Sequence, residues 1–141
     1  MSEFTNQGRF TPKSNEELKA AVQVYKFMHE KKKDKYWNHP NWTYGRFSDW
    51  DVSNITDMYH LFSYCYKFNE DISRWNVSNV TNMDSMFAVC EIFNQPLNSW
   101  NVSNVTSMNS MFLYCVSFNQ PLNSWNAVSY THLTLPTKRI V

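Results

Sequence analysis

Trp75-Asn-Val-Ser-Asn-Val-Thr-Asn-Met83, continued by Asp-Ser-Met-Phe-Ala-Val-Cys90 and Glu-Ile-Phe-Asn-Gln95, is one copy of a unit that the chain repeats. Trp50, Trp75, Trp100 and Trp125 stand 25 residues apart, and the first three each open a Trp-Asx-Val-Ser-Asn sentence. Residues 71–95 and 96–120 agree at 15 of 25 positions, and 46–70 agrees with 71–95 at 11, so the register is secure. A fixed period of this length marks stacked supersecondary units, each leaning its apolar face on the next. The expected architecture is a solenoid of three units over 46–126 with a truncated fourth.

Columns shared by all three copies are where packing is expected. They are Trp50/75/100, Val52/77/102, Met58/83/108, Phe62/87/112, Cys65/90/115 and Phe68/93/118. Ser53/78/103, Asn54/79/104, Thr56/81/106 and Asn69/94/119 recur with them. Within one unit, Val80, Met83, Met86, Phe87 and Cys90 step by three, three, one and three. That spacing predicts a short α or 3₁₀ segment over roughly 80–90. Gln95 to Trp100 contains Pro96 and is read as extended, one short parallel strand per turn, which makes the class α/β.

Ahead of the repeats, Ser14-Asn15-Glu16-Glu17 is a capping box, with Ser and Glu three apart at a helix start. Leu18, Ala21, Val22, Tyr25 and Met28 then form one apolar stripe on a helix of about four turns. Lys31, Lys32 and Lys33 suit the C-terminal end of its macrodipole and are read as a solvated helix end. Tyr36, Trp37, Trp42, Tyr44 and Phe47 follow within twelve residues. A solenoid's first unit exposes an apolar end that must be covered. Residues 1–45 are therefore read as an N-terminal cap. Beyond Trp125 the pattern stops. Residues 128–137 resemble the translated tail of a sequencing adapter, so 127–141 is expected to be foreign and the natural protein to continue with more repeats.

The 141 residues include 6 Trp, 8 Tyr and 10 Phe but only 2 Gly, and 43% of the chain is apolar, enough for a packed core. The net charge of +1 is unevenly spread: residues 46–126 carry 3 Lys+Arg against 7 Asp+Glu, a balance of −4. An acidic repeat surface argues against nucleic acid as a partner. No stretch has the apolar length of a membrane span or of a signal peptide. Cys65, Cys90 and Cys115 share one column, an odd number with no His at ligand spacing, and are read as buried thiols rather than disulfides or a metal site. Asp49, Asp51 and Asp57 crowd the first unit, but later copies replace them, which excludes a repeat-wide calcium site. His29, His39, His60 and His132 share no column and pair with no nucleophile, so no catalysis and no cofactor is expected. The Asn-x-Ser/Thr sequons follow from the repeat consensus and carry little weight.

The unit Trp-Asx-Val-Ser-Asn-Val-Thr-x-Met-x-x-Met-Phe-x-x-Cys-x-x-Phe-Asn-Gln-Pro-Leu resembles the repeat of BspA-like surface proteins, known also from mycoplasma-type lipoproteins as a domain of unknown function. Its Met-Phe-x-x-Cys-x-x-Phe core is similar to bacterial leucine-rich repeats. The resemblance implies a right-handed leucine-rich-repeat-like solenoid with an N-terminal helical cap, used for adhesion or protein contact. A non-catalytic scaffold for a protein partner is the expected function. The alternative is a glycan or other surface-recognition array built on the Trp column or the Ser/Thr columns. Partner-binding positions are sought where copies differ: Tyr66 and Lys67 against Glu91 and Val116, and Asp71, Ser73 and Arg74 against Pro96, Asn98 and Ser99. A fragment with an open apolar end is also expected to associate end to end.

Overall fold

The structure, a computed structural model, describes residues 8–31 and 36–125. It opens with helix α1, Asn15–Lys31. The Ser14 hydroxyl accepts from the Glu17 N–H at 3.1 Å, which makes Ser14 the N-cap. The Glu17 carboxylate reaches back to the Lys13 N–H, one residue before the partner a capping box uses, at 2.5 Å. Leu18, Ala21, Val22, Tyr25 and Met28 are buried, so the apolar stripe is the face that packs on the repeats. Lys32 and Lys33 lie outside the described residues, as does the 127–141 tail. Two 3₁₀ turns, Tyr36–Asn38 and Phe47–Asp49, connect α1 to the first unit.

Over residues 50–125 the backbone is a succession of turns in three layers, and corresponding atoms of adjacent layers bond to one another. Met58, His60, Phe62 and Tyr64 donate N–H to the carbonyls of Asn82, Asp84, Met86 and Ala88 at 2.8–3.0 Å. Met83, Ser85, Phe87 and Val89 repeat this toward Ser107, Asn109, Met111 and Leu113. In a parallel β ladder both strands donate in alternation, whereas this run of alternate residues donates one way only. Among the described residues, parallel bridges form only at Asp57, Asn82 and Ser107. The strand expected over Gln95–Trp100 is not there.

Nor is the helix expected over 80–90. Met83 to Met86, Ser85 to Ala88 and Phe87 to Cys90 close consecutive turns by bonds three residues long. Ser85 and Val89 sit between them at φ +56° and +61°, which no right-handed helix contains. His60 and Tyr64, and Ser110 and Tyr114, repeat the pair in the neighbouring layers. Consecutive turns bury the same every-third-residue stripe as a helix does. The reversed φ turns alternate N–H groups outward to the next layer instead of back along their own axis. An L-residue in this region costs about 1–2 kcal/mol. Val89, branched at Cβ, is the most strained of the six.

Between the layers lie three aromatic columns. Phe62, Phe87 and Phe112 stack at 5.7 and 5.6 Å with their planes nearly parallel. Phe68, Phe93 and Phe118 stack beside them at 5.7 and 5.9 Å. Each Phe also stacks on its partner within the layer at 4.0–4.3 Å. The Trp column is buried, only 2–6% exposed. Trp75, Trp100 and Trp125 each donate the indole N–H to a backbone carbonyl of the preceding layer, those of Phe47, Ile72 and Leu97.

The cap copies these contacts with other chemistry. Trp50 finds its carbonyl on Tyr44, and Trp42 stacks over it at 6.2 Å. Phe47 fills the end of the Phe columns, 5.3 Å from Phe68. In the repeats, Thr81 and Thr106 donate N–H to the carbonyls of Thr56 and Thr81. Thr56 has no layer before it and donates instead to the Asn15 side-chain oxygen at 3.2 Å. One amide from the helix stands in for the backbone of an absent unit.

Glu70 joins cap to repeat. Its column continues as Gln95 and Gln120, whose amides donate to Asn69 and Asn94 one layer back. Glu70 accepts from the Tyr36 hydroxyl instead, with Arg46 nearby. Burial raises its pKa above the ordinary carboxylate value, and neither the hydrogen bond nor Arg46 offsets this. A carboxyl whose folded pKa is raised favours folding when protonated, and that contribution is lost as pH rises through the folded value. Glu70→Gln, neutral at every pH, should therefore have the higher melting temperature at pH 7. The difference should narrow on acidification through the carboxylate range. A difference that does not change with pH would show that the carboxyl is not penalised.

Candidate binding surface

Each layer turns a corner just after its second reversed residue, at 64–67, 89–92 and 114–117. The buried Cys and Phe columns pin this corner from inside. Cys90 and Cys115 direct their thiols at the carbonyls of Phe62 and Phe87. Burial pushes the Cys115 thiol up to about 12 and raises that of Cys90 well above the ordinary value, so neither offers a thiolate near neutrality. With alternate residues committed inward, the residues between them face out. Tyr64, Tyr66, Ile92, Tyr114 and Val116 are 46–58% exposed, and all five lie on this edge. Tyr64 and Tyr66 have ring centroids 6.3 Å apart. Ser117 donates N–H to the Glu91 carbonyl, tying the second corner to the third.

The eight positions singled out from sequence divide between this edge and another part of each layer. Tyr66, Lys67 and Glu91 are exposed on the corner edge. Asp71, Ser73, Arg74, Asn98 and Ser99 follow in the next turn, where most are occupied by structure. Asp71 accepts from both the N–H and the hydroxyl of Ser73, which hold its pKa below the ordinary carboxylate value. Ser99 donates its hydroxyl to the Ser73 carbonyl at 2.9 Å. Asn98 accepts from Ser124. Arg74 is exposed. Tyr64, Ile92 and Tyr114 were missed. Their signal was available, because they are large apolar residues in columns where the copies disagree.

The materials of a glycan array are engaged elsewhere. The indoles are buried, and the Thr81 and Thr106 hydroxyls each donate to the preceding layer. Asn79 and Asn104 bond the carbonyls of Ser53 and Ser78. Asp51 and Asp57 are used as turn acceptors by Ser53 and Tyr59. Among the described residues no three His, Cys, Asp or Glu side chains group as a metal site. No helix of the described residues is long and apolar enough to cross a membrane.

One pairing corrects the sequence reading. His60 does meet a hydroxyl: its Nδ1 lies 2.7 Å from Ser63 Oγ. The Ser63 proton is directed at the Ser85 carbonyl, so the imidazole donates to Ser63 rather than accepting from it. A base must accept the proton of its nucleophile, and this pair is wired the other way.

Residues 25–135 match the family model described as "Mycoplasma protein of unknown function, DUF285". The chain belongs to this family. The matched span starts inside α1 and takes in all three layers of this DUF285 member. No curated protein and no solved structure matches the chain.

Proposed function

We propose that the chain is a non-catalytic scaffold of the BspA-like kind, a right-handed leucine-rich-repeat-like solenoid that holds a protein partner against its corner edge. The observation that carries this is the row of five half-exposed apolar side chains, Tyr64, Tyr66, Ile92, Tyr114 and Val116, on successive layers of one edge. Contiguous exposed apolar side chains on a soluble surface mark contact sites, and tyrosine gives large contact area at low entropic cost. The layers supply rigidity, and residues that vary between copies supply specificity. Lys67 and Glu91 flank the row with opposite charges in adjacent layers. Adhesion is the same mechanism with the partner on another cell.

The test compares two variants for retention of a partner bound by the wild-type chain. Tyr66→Ser/Tyr114→Ser/Val116→Ser alters the edge, and Arg74→Ser/Ser99→Ala alters the next turn. Loss of binding only in the first supports the edge. A partner held equally by the edge variant, or lost only with Arg74 and Ser99, overturns it.

A further inference from the structure

Helix α1 does not close flat on the first corner. Between them lies a cavity of about 240 Å³, walled by Tyr25 and Lys26 from the helix and by Tyr64, Tyr66, Lys67 and Phe68 from the corner. Among the described residues no helix packs on the later corners, which places this site at the junction of cap and repeats. Two features define what would fit. The walls are aromatic: Tyr25 and Phe68 meet edge-on at 5.7 Å, and Tyr64 and Tyr66 are set at 76° to each other. The charge is of one sign, because Lys26 and Lys67 both line the cavity and no acidic residue does. The Lys26 ammonium lies over the Tyr64 ring, 6.0 Å from its centroid, so cation and aromatic wall adjoin.

We propose that this cavity binds a small arylalkyl carboxylate. The aryl ring lies among Tyr64, Tyr66 and Phe68, where edge-to-face contacts are available. The carboxylate lies between the ammonium groups of Lys26 and Lys67, which supply charge-assisted hydrogen bonds. A neutral aryl compound would satisfy the walls and leave both cations uncompensated. An aliphatic diacid would do the reverse. The volume suits a single ring with a short acid arm, and a free molecule of that size makes full use of the walls. This site does not depend on the corner edge contacting a protein.

The test is calorimetric titration of the full chain with phenylpropionate, with phenylpropanamide as the neutral analogue. Saturable one-to-one binding of the acid is expected. The amide, and the acid on Lys26→Gln/Lys67→Gln, should each bind at least about tenfold more weakly, since one charge-assisted hydrogen bond alone is worth that much. Arg74→Gln should bind as wild type, and an unchanged melting temperature would show that the lysine variant is folded. Equal binding of acid and amide, or full affinity in the double variant, would overturn the assignment, as would no saturable binding. A peptide ending in Phe serves as a further arm. Binding of its free C-terminal acid without binding of phenylpropionate would assign the cavity to a partner's chain end and overturn a small-molecule site.

Discussion

Phe87→Ala is expected to lower the unfolding free energy by about 3–5 kcal/mol, the range for truncating a fully buried aromatic. Phe87 is the middle ring of its column, fully buried, with Phe62 at 5.7 Å on one side and Phe112 at 5.6 Å on the other. Within its own layer Phe93 stacks on it at 4.3 Å. Cost depends on how far the surroundings can collapse into the space, and here they are held apart. Phe62 donates N–H to the Met86 carbonyl and Phe87 to that of Met111, so the layers above and below keep their spacing when the ring goes. A domain stable by roughly 5–15 kcal/mol loses a large share of its margin. Denaturant unfolding followed by Trp emission measures it directly, because the indoles lie in the same core. A loss below about 1 kcal/mol, the size of an ordinary surface or near-neutral change, would mean that the layers slide together and are not a fixed stack.

Tyr25→Phe should act in the opposite direction, with a gain of about 1–3 kcal/mol, the usual penalty for a buried polar group left unbonded. The Tyr25 hydroxyl is buried with no hydrogen-bond partner. Its ring is the centre of the cap, edge-on to Tyr36 at 4.8 Å, Phe47 at 5.1 Å and Phe68 at 5.7 Å. Burial and the nearby Glu70 both raise its pKa, so it stays a neutral phenol. Phenylalanine keeps every ring contact and removes only the oxygen. A higher unfolding midpoint is the expected result. A lower midpoint would show that the hydroxyl is bonded in solution and that its hydrogen bond helps hold helix to repeat.

The columns were legible because identity at a 25-residue step forces identical neighbours. Trp and Phe stack on copies of themselves, and the Trp indoles and the Cys90 and Cys115 thiols repeat the same bond to the preceding layer. The cap helix was legible for a local reason, the Ser14–Glu17 signal and a stripe at helical spacing. The backbone between Met83 and Cys90 was not. A run of turns and a helix bury the same stripe, and the φ reversals that separate them usually announce themselves as Gly or Asn. Here His60, Tyr64, Ser85, Val89, Ser110 and Tyr114 take those positions, and stacking in the next layer outweighs the local cost. The candidate surface was half legible. Polar variation pointed to Tyr66, Lys67 and Glu91, and equally to Asp71, Ser73, Asn98 and Ser99, whose polarity turned out to hold turns and layers together. Exposed Tyr64 and Tyr114 went unread because aromatic residues are expected inside.

Asn15 gives the stack a direction. Its side-chain oxygen takes the Thr56 N–H, and that of Asp57 at 3.3 Å, which a preceding unit would otherwise need. A new unit therefore cannot be added ahead of the first without displacing the helix. Between the first layer and the last, each junction uses the same carbonyls, rings and amides, so a 25-residue duplication inserts without altering either neighbour. Relatives of this chain should thus differ in length by whole units gained or lost behind a constant beginning. The reach of the corner edge would then lengthen in fixed steps while the cavity beside α1 stays single.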